Sequence, residues 1–188
     1  MAEPVAALLP MFRSKHQMQI LAEVFWGTSS STGAELARRT GIPQQTVARE
    51  VARLERAGVV VTEQVGTAKT IHPAPQLPYG PVLRQLLAYV GGVIPMLARK
   101  FGDDPAISEV FIFGSWAARY RDEAGAPPND VDVAVVSESL TRFDLAEVRL
   151  DLEHESKLSI NLFVFEPDNE RLPELRTGGV PVFERVTA

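Results

Sequence analysis

The chain contains no cysteine. Disulfides, zinc–thiolate sites and cysteine nucleophiles are therefore excluded, and the composition suits a reducing, cytoplasmic setting. Histidine is scarce. His16, His72 and His154 lie far apart, and no two have the spacing of a shared metal site, so each is read as structural or solvated. No run of about 18 apolar residues occurs, so no membrane span is expected. The first twelve residues lack a basic region followed by a long apolar stretch, so no signal peptide is expected. Repeats and low-complexity segments are also missing. What the 188 residues do hold is an uneven charge: net −5 overall, but +2 over residues 1–75 and −7 over residues 76–188. That split points to a polyanion-binding front half and a carboxylate-rich back half.

In the front half, Ile20, Leu21, Val24 and Phe25 share one helical face within Ser14–Trp26, with Ser14 as N-cap. Gly27 and the polar run Thr28–Thr32 end this helix. Thr32 then caps a short helix, Gly33–Thr40, and Glu35 completes a capping box. Gly41 stops it. Pro43 suits the first turn of a third helix, Pro43–Ala57, whose Val47, Val51 and Leu54 form the buried face. Two strands, Val59–Gln64 and Ala68–His72, follow around a turn at Val65–Thr67. Helix, short helix, tight turn, helix and two-stranded wing is the order of a winged helix-turn-helix, whose second helix enters the DNA major groove. Here that helix opens with Gln44, Gln45 and Thr46 and continues with Arg49. Gln pairs bidentately with adenine and Arg with guanine. Arg38, Arg39, Arg53, Arg56 and, on the wing, Lys69 are placed for phosphates.

The run "GAELARRTGIPQQTVAREVARLERAGVV" resembles the helix-turn-helix core of winged regulators of the ArsR and MarR type, a resemblance covering about residues 14–75. It implies a regulator that binds double-stranded DNA as a homodimer. The alternative is a winged helix used for protein contacts.

The back half follows a proline-rich linker, His72–Pro81, and an apolar helix, Val82–Phe101, with a kink expected at Gly91-Gly92 or Pro95. A strand ends at Phe113, Gly114 permits close backbone approach, and Ser115 begins a helix; N–H groups and a hydroxyl there suit a phosphate. Fifteen residues beyond Ser115, Asp130 and Asp132 alternate on a strand, Val131–Val136, so both face one side. A divalent cation such as Mg2+ resolves their repulsion and bridges to phosphates. Trp116 and Tyr120 are assigned to the core. Helix Phe143–Lys157 follows, then strand Leu158–Phe165, apolar on both faces and expected at the sheet centre. The tail from Pro167 is expected to be irregular, with one short strand at Val180–Phe183.

"FIFGSWAARYRDEAGAPPNDVDVAVV" resembles the nucleotidyltransferase superfamily over about residues 105–166, above all its minimal, antitoxin-like members. The resemblance implies that Gly114 and Ser115 hold a nucleoside triphosphate and that Asp130 and Asp132 are catalytic and bind Mg2+. It also implies a third acidic residue on the later strand. The aligned position is Asn161, which cannot serve as a general base. An ordinary α/β domain whose two aspartates edge a loop is the alternative.

The expected fold is α+β in two domains: a winged helix-turn-helix over 1–75, a linker and connecting helix over 76–104, and a nucleotidyltransferase-like α/β domain with a small mixed sheet over 105–188. The expected function is a DNA-binding transcriptional regulator, antitoxin-like, whose second domain binds nucleotide with Mg2+ or a partner such as a cognate toxin and catalyses little. An active Mg2+-dependent nucleotidyltransferase acting on a protein, RNA or small molecule is the rival, and a pure interaction module the third reading.

Overall fold

The structure is a computed structural model that describes residues 12–27, 31–90, 92–125, 128–156 and 158–185. The expectations for the first eleven residues, for residues 28–30, for a kink at Gly91, for the middle of the Gly/Pro loop and for Lys157 therefore lie outside the described residues. The chain divides into two compact units, Met1–Gly91 and Gly92–Ala188.

In the first unit, helix α1 (Lys15–Trp26) starts where the Ser14 hydroxyl accepts a bond from the Gln17 N–H at 3.1 Å. It buries Met18, Ile20, Leu21, Val24 and Phe25. Strand β1 (Ser31–Thr32) comes next, and Thr32 doubles as N-cap of helix α2 (Gly33–Thr40), with both halves of the capping box formed. Gly41 takes the left-handed backbone that closes α2, at φ 70°. Helix α3 (Gln44–Arg56) follows, with Pro43 one residue before its start as N-cap. Strands β2 (Val60–Val65) and β3 (Ala68–Pro73) form the wing, paired antiparallel from Val60 with Pro73 to Val65 with Ala68. Helix α4 (Gly80–Val90) returns to the core, tied to α1 by the Trp26 indole N–H donating to the Arg84 carbonyl at 2.9 Å. Leu36, Ile42, Val47, Val51, Leu54, Val60, Ile71 and Leu87 close the apolar centre.

Two sequence expectations change here. Residues 31–32, expected in a polar run that ends the first helix, form a third strand, with Ser31 opposite Ile71 and Thr32 opposite Thr70. The stretch expected as one helix over 82–101 is two helices divided between the units, so α4 belongs to the first. The span Gly80–Phe101, 22 residues, is also long and apolar enough to cross a membrane by length and composition alone. Leu87 and Val90 are buried in the first unit and Val93, Ile94, Leu97 and Phe101 in the second, while Val82 and Tyr89 are exposed.

The second unit begins with helix α5 (Val93–Phe101). Strand β4 (Glu109–Phe113) runs directly into helix α6 (Gly114–Tyr120). Strand β5 (Asp130–Val136), helix α7 (Ala146–Ser156), strand β6 (Ser159–Phe165), helix α8 (Leu172–Thr177) and strand β7 (Val180–Glu184) complete it. The sheet order is β6-β5-β4-β7, with β5 and β6 parallel and the other pairs antiparallel. Phe111, Ala134, Val136, Phe165 and Leu172 form a core cluster. Strand β6 is therefore an edge, not the expected centre. Its second apolar face is explained by Phe163, which is 43% exposed and packs its ring 5.4 Å from that of Phe113. Helix α8 lies in the tail expected to be irregular. Arg176 at its end grips the Glu109 carboxylate, Nη2 to Oε2 at 2.6 Å, which raises the Arg176 pKa and anchors α8 to β4.

Candidate functional site

Helix α3 is amphipathic, and this decides what it offers to solvent. Val47, Glu50, Val51 and Leu54 are buried, while Gln44, Gln45, Ala48, Arg49, Ala52 and Arg56 are exposed. Thr46 is half-buried, and its N–H donates to the Pro43 carbonyl at 2.8 Å. No side chain caps the first turn of α3. The N-terminal end thus combines exposed amide side chains with the positive pole of the helix. Arg49 lies one turn along, its Nε donating to the Gln45 carbonyl at 3.4 Å. Arg53 is partly exposed and bonded to Glu50 at 2.8 Å. Lys69 on β3 is 63% exposed, with Glu55 at 4.0 Å. The wing tip turns at Gly66, where φ of 60° favours glycine. Arg39, expected at phosphates, is held within the unit by Glu23 at 2.9 Å and by the Ser31 hydroxyl.

In the second unit the strand–turn–helix and the paired aspartates converge. Phe113 is the register partner of Asp132 across β4 and β5, so the bend at Gly114 lies beside the aspartates. Gly114 has φ of 70°, and a Cβ placed there would sit 2.6 Å from Asp132 Oδ2. Only glycine accommodates that approach. Ser115 is exposed and, with Ala118, Arg119, Glu123, Asn129 and Asp130, lines a cleft of about 430 Å3. The loop between α6 and β5 supplies part of its wall. Asp130 and Asp132 are half-buried on one face of β5, and Val131 and Val133 are buried on the other, as their alternation requires. Trp116 is buried, as the core assignment expected, while Tyr120, assigned to the core with it, is only half-buried and stacks on Trp116 with ring centroids 5.9 Å apart.

Asn161 stands opposite Asp132 in the parallel pairing of β5 with β6. Its Nδ2 donates to Asp130 Oδ2 at 3.0 Å and to Asp132 Oδ1 at 2.9 Å. Magnesium requires oxygen ligands in a near-octahedral shell. Here both N–H groups of Asn161 point at the carboxylates, so this side-chain arrangement leaves no place for a cation between them. The residues as arranged do not fit the Mg2+ expected from the sequence.

Comparison with known families places the first of these two regions. Residues 17–69 match the model of the MarR family. The N-terminal unit carries a MarR-family winged helix-turn-helix. Solved structures similar to the chain include MepR, a transcription regulator of the Staphylococcus aureus multidrug efflux pump MepA, at 16% identity over 45% of this chain with TM-score 0.39. CouR from Rhodococcus jostii bound to p-coumaroyl-CoA aligns at 20% identity over 55% of this chain and 71% of its own, with TM-score 0.42. Wild-type MarR from E. coli aligns at 13% identity over 54% of this chain and 75% of its own, with TM-score 0.41. The chain spans 62% of the length of MepR. Among curated proteins none matches.

Within the MarR-type region, sequence reasoning missed two features. Glu50 is buried on the apolar face of α3, with Oε1 2.8 Å from Arg53 and 3.7 Å from Arg13. Its i+3 spacing to Arg53 was the available signal. The Glu23–Arg39–Ser31 network depends on β1 lying along β3, which no local pattern announces.

Proposed function

We propose that the chain is a DNA-binding transcriptional regulator that reads duplex DNA with α3 and steadies itself on the backbone with its wing. The MarR-family match of residues 17–69 supports this. The observation that carries it is the division of α3: Val47, Val51 and Leu54 fix the helix to its own core while Gln44, Gln45 and Arg49 remain outside. Gln and Arg have the donor and acceptor geometry for adenine and guanine edges. Thr46, Arg53 and Lys69 complete the interface. The chain acts as a homodimer on two half-sites about one helical turn apart. Selection of bound duplexes from a random pool, followed by footprinting, is expected to yield an inverted repeat. Recovery of no enriched sequence would remove the reading.

The second unit is assigned to the nucleotidyltransferase type, with Gly114 and Ser115 facing a phosphate-bearing ligand. The approach of Asp132 to Gly114 supports the assignment, as does the mixed sheet. Its ligand is a nucleoside triphosphate or, in the antitoxin-like form of the reading, a cognate toxin. Transfer chemistry is weak or lost, because Asn161 stands where a third carboxylate would be needed. Equilibrium dialysis with each of the four ribonucleoside triphosphates measures the binding. Labelling from a radiolabelled triphosphate that disappears in Asp130→Asn and Asp132→Asn would instead establish an active enzyme.

A further inference from the structure

Two carboxylates held side by side repel each other unless something positive lies between them. Asp130 and Asp132 are alternate residues of β5, so the strand itself forces their side chains onto one face. Asp132 has no room to retreat towards the β4–α6 bend, where its Oδ2 already lies against Gly114. The group between the two carboxylates is the Asn161 amide. One nitrogen serves both, with its two N–H bonds directed at Asp130 Oδ2 and Asp132 Oδ1 at 3.0 and 2.9 Å.

We infer that the Asn161 amide takes the place of a divalent cation, so that the Asp130–Asp132 pair is a metal-independent polar clasp joining β5 to β6. An amide nitrogen offers two partial positive charges at the angle two neighbouring acceptors need. The opposite rotamer would present the amide oxygen to two carboxylates, losing both hydrogen bonds and adding repulsion. A hard cation competing for the position must therefore break both bonds and turn the amide before it gains its oxygen ligands. This inference rests on the side-chain geometry alone and survives whether or not the second unit is of the nucleotidyltransferase type.

Mn2+ is the probe, followed by the electron paramagnetic resonance signal of the free ion with the full-length protein. Wild type is expected to leave the signal unchanged up to millimolar ion. Asn161→Asp places a third carboxylate beside the pair and is expected to bind Mn2+ about tenfold more tightly or better, with a matching rise in its unfolding temperature. Adding Asp132→Asn to Asn161→Asp should abolish that gain. Because Asn161→Asp can fail to fold without metal, Asn161→Ala is measured in parallel. It removes both N–H bonds, leaves the two carboxylates, and is expected to bind Mn2+ more tightly than wild type. Wild-type binding as tight as that of Asn161→Ala, or a folded Asn161→Asp that binds no Mn2+, overturns the inference.

Discussion

Gln45 and Arg49 stand one helical turn apart on the solvent side of α3, and each has a defined chemical task if the helix enters the major groove. Replacing either with alanine is expected to cost about 1–3 kcal/mol of discrimination at one base position while sparing weak non-specific binding. Fluorescence anisotropy on cognate and single-mismatch duplexes reads this. In the proposed reading, Lys69 on the wing contacts phosphate rather than a base. Lys69→Ala should weaken binding evenly across sequences and reduce the slope of log K against log salt by about one. Gly114 is constrained differently. Its φ of 70° and the 2.6 Å from a Cβ to Asp132 Oδ2 leave no place for a side chain. Gly114→Ala is expected to destabilise the second unit by roughly 1–3 kcal/mol, measured by urea unfolding.

At the scale of elements, α2 is held in place by its first turn. The Thr32 hydroxyl accepts the Glu35 N–H at 3.3 Å, and the Glu35 carboxylate accepts the Thr32 N–H at 2.8 Å. Loss of the hydroxyl in Thr32→Ala should remove about 1 kcal/mol of stability. The Thr32 N–H, and after it the Thr32 hydroxyl, which also donates to the Glu35 carboxylate at 2.9 Å, hold the Glu35 pKa below its usual 4.5. A carboxyl depressed in the folded state stabilises fully above its unfolded pKa and loses that contribution as pH falls through the folded value. Acid unfolding below about pH 4.5 should therefore be shallower in Thr32→Ala than in wild type. Leu36 in the same helix is completely buried, and Leu36→Ala is expected to cost about 2–5 kcal/mol by thermal or urea unfolding.

These elements also mark where the sequence was legible. The Ser14 and Thr32 caps, the glycine stops and the valine face of α3 are local patterns, and the structure places each as read. The Gly114 bend and the Asp130–Asp132 alternation were legible because each follows from a single strand and its end. Strand β1 escaped because two residues carry no periodicity; they become a strand only by pairing with Ile71 and Thr70, some forty positions away. Strand β6 looked central because both its faces are apolar. A ring contact between Phe163 and Phe113 on an edge cannot be told from burial by composition. The tail hid α8, since its six residues are too few for a helical repeat to show. The position of Asn161 was read from resemblance, but that its nitrogen faces both carboxylates required the parallel register of β5 and β6.

For the whole molecule, two compact units place an exposed polar helix in a first unit of net +3 and a carboxylate-bearing cleft in a second unit of net −8. In the proposed reading, selectivity rests on base contacts, because phosphate contacts carry no sequence information. The central claim is that α3 reads DNA. Its most direct measurement is an anisotropy titration of wild type and a Gln45→Ala/Arg49→Ala double variant against the selected duplex and a scrambled one. Wild type is predicted to prefer the selected duplex, and the double variant, with unchanged thermal unfolding, to bind both equally and weakly. A folded double variant that still discriminates as wild type does would contradict the account.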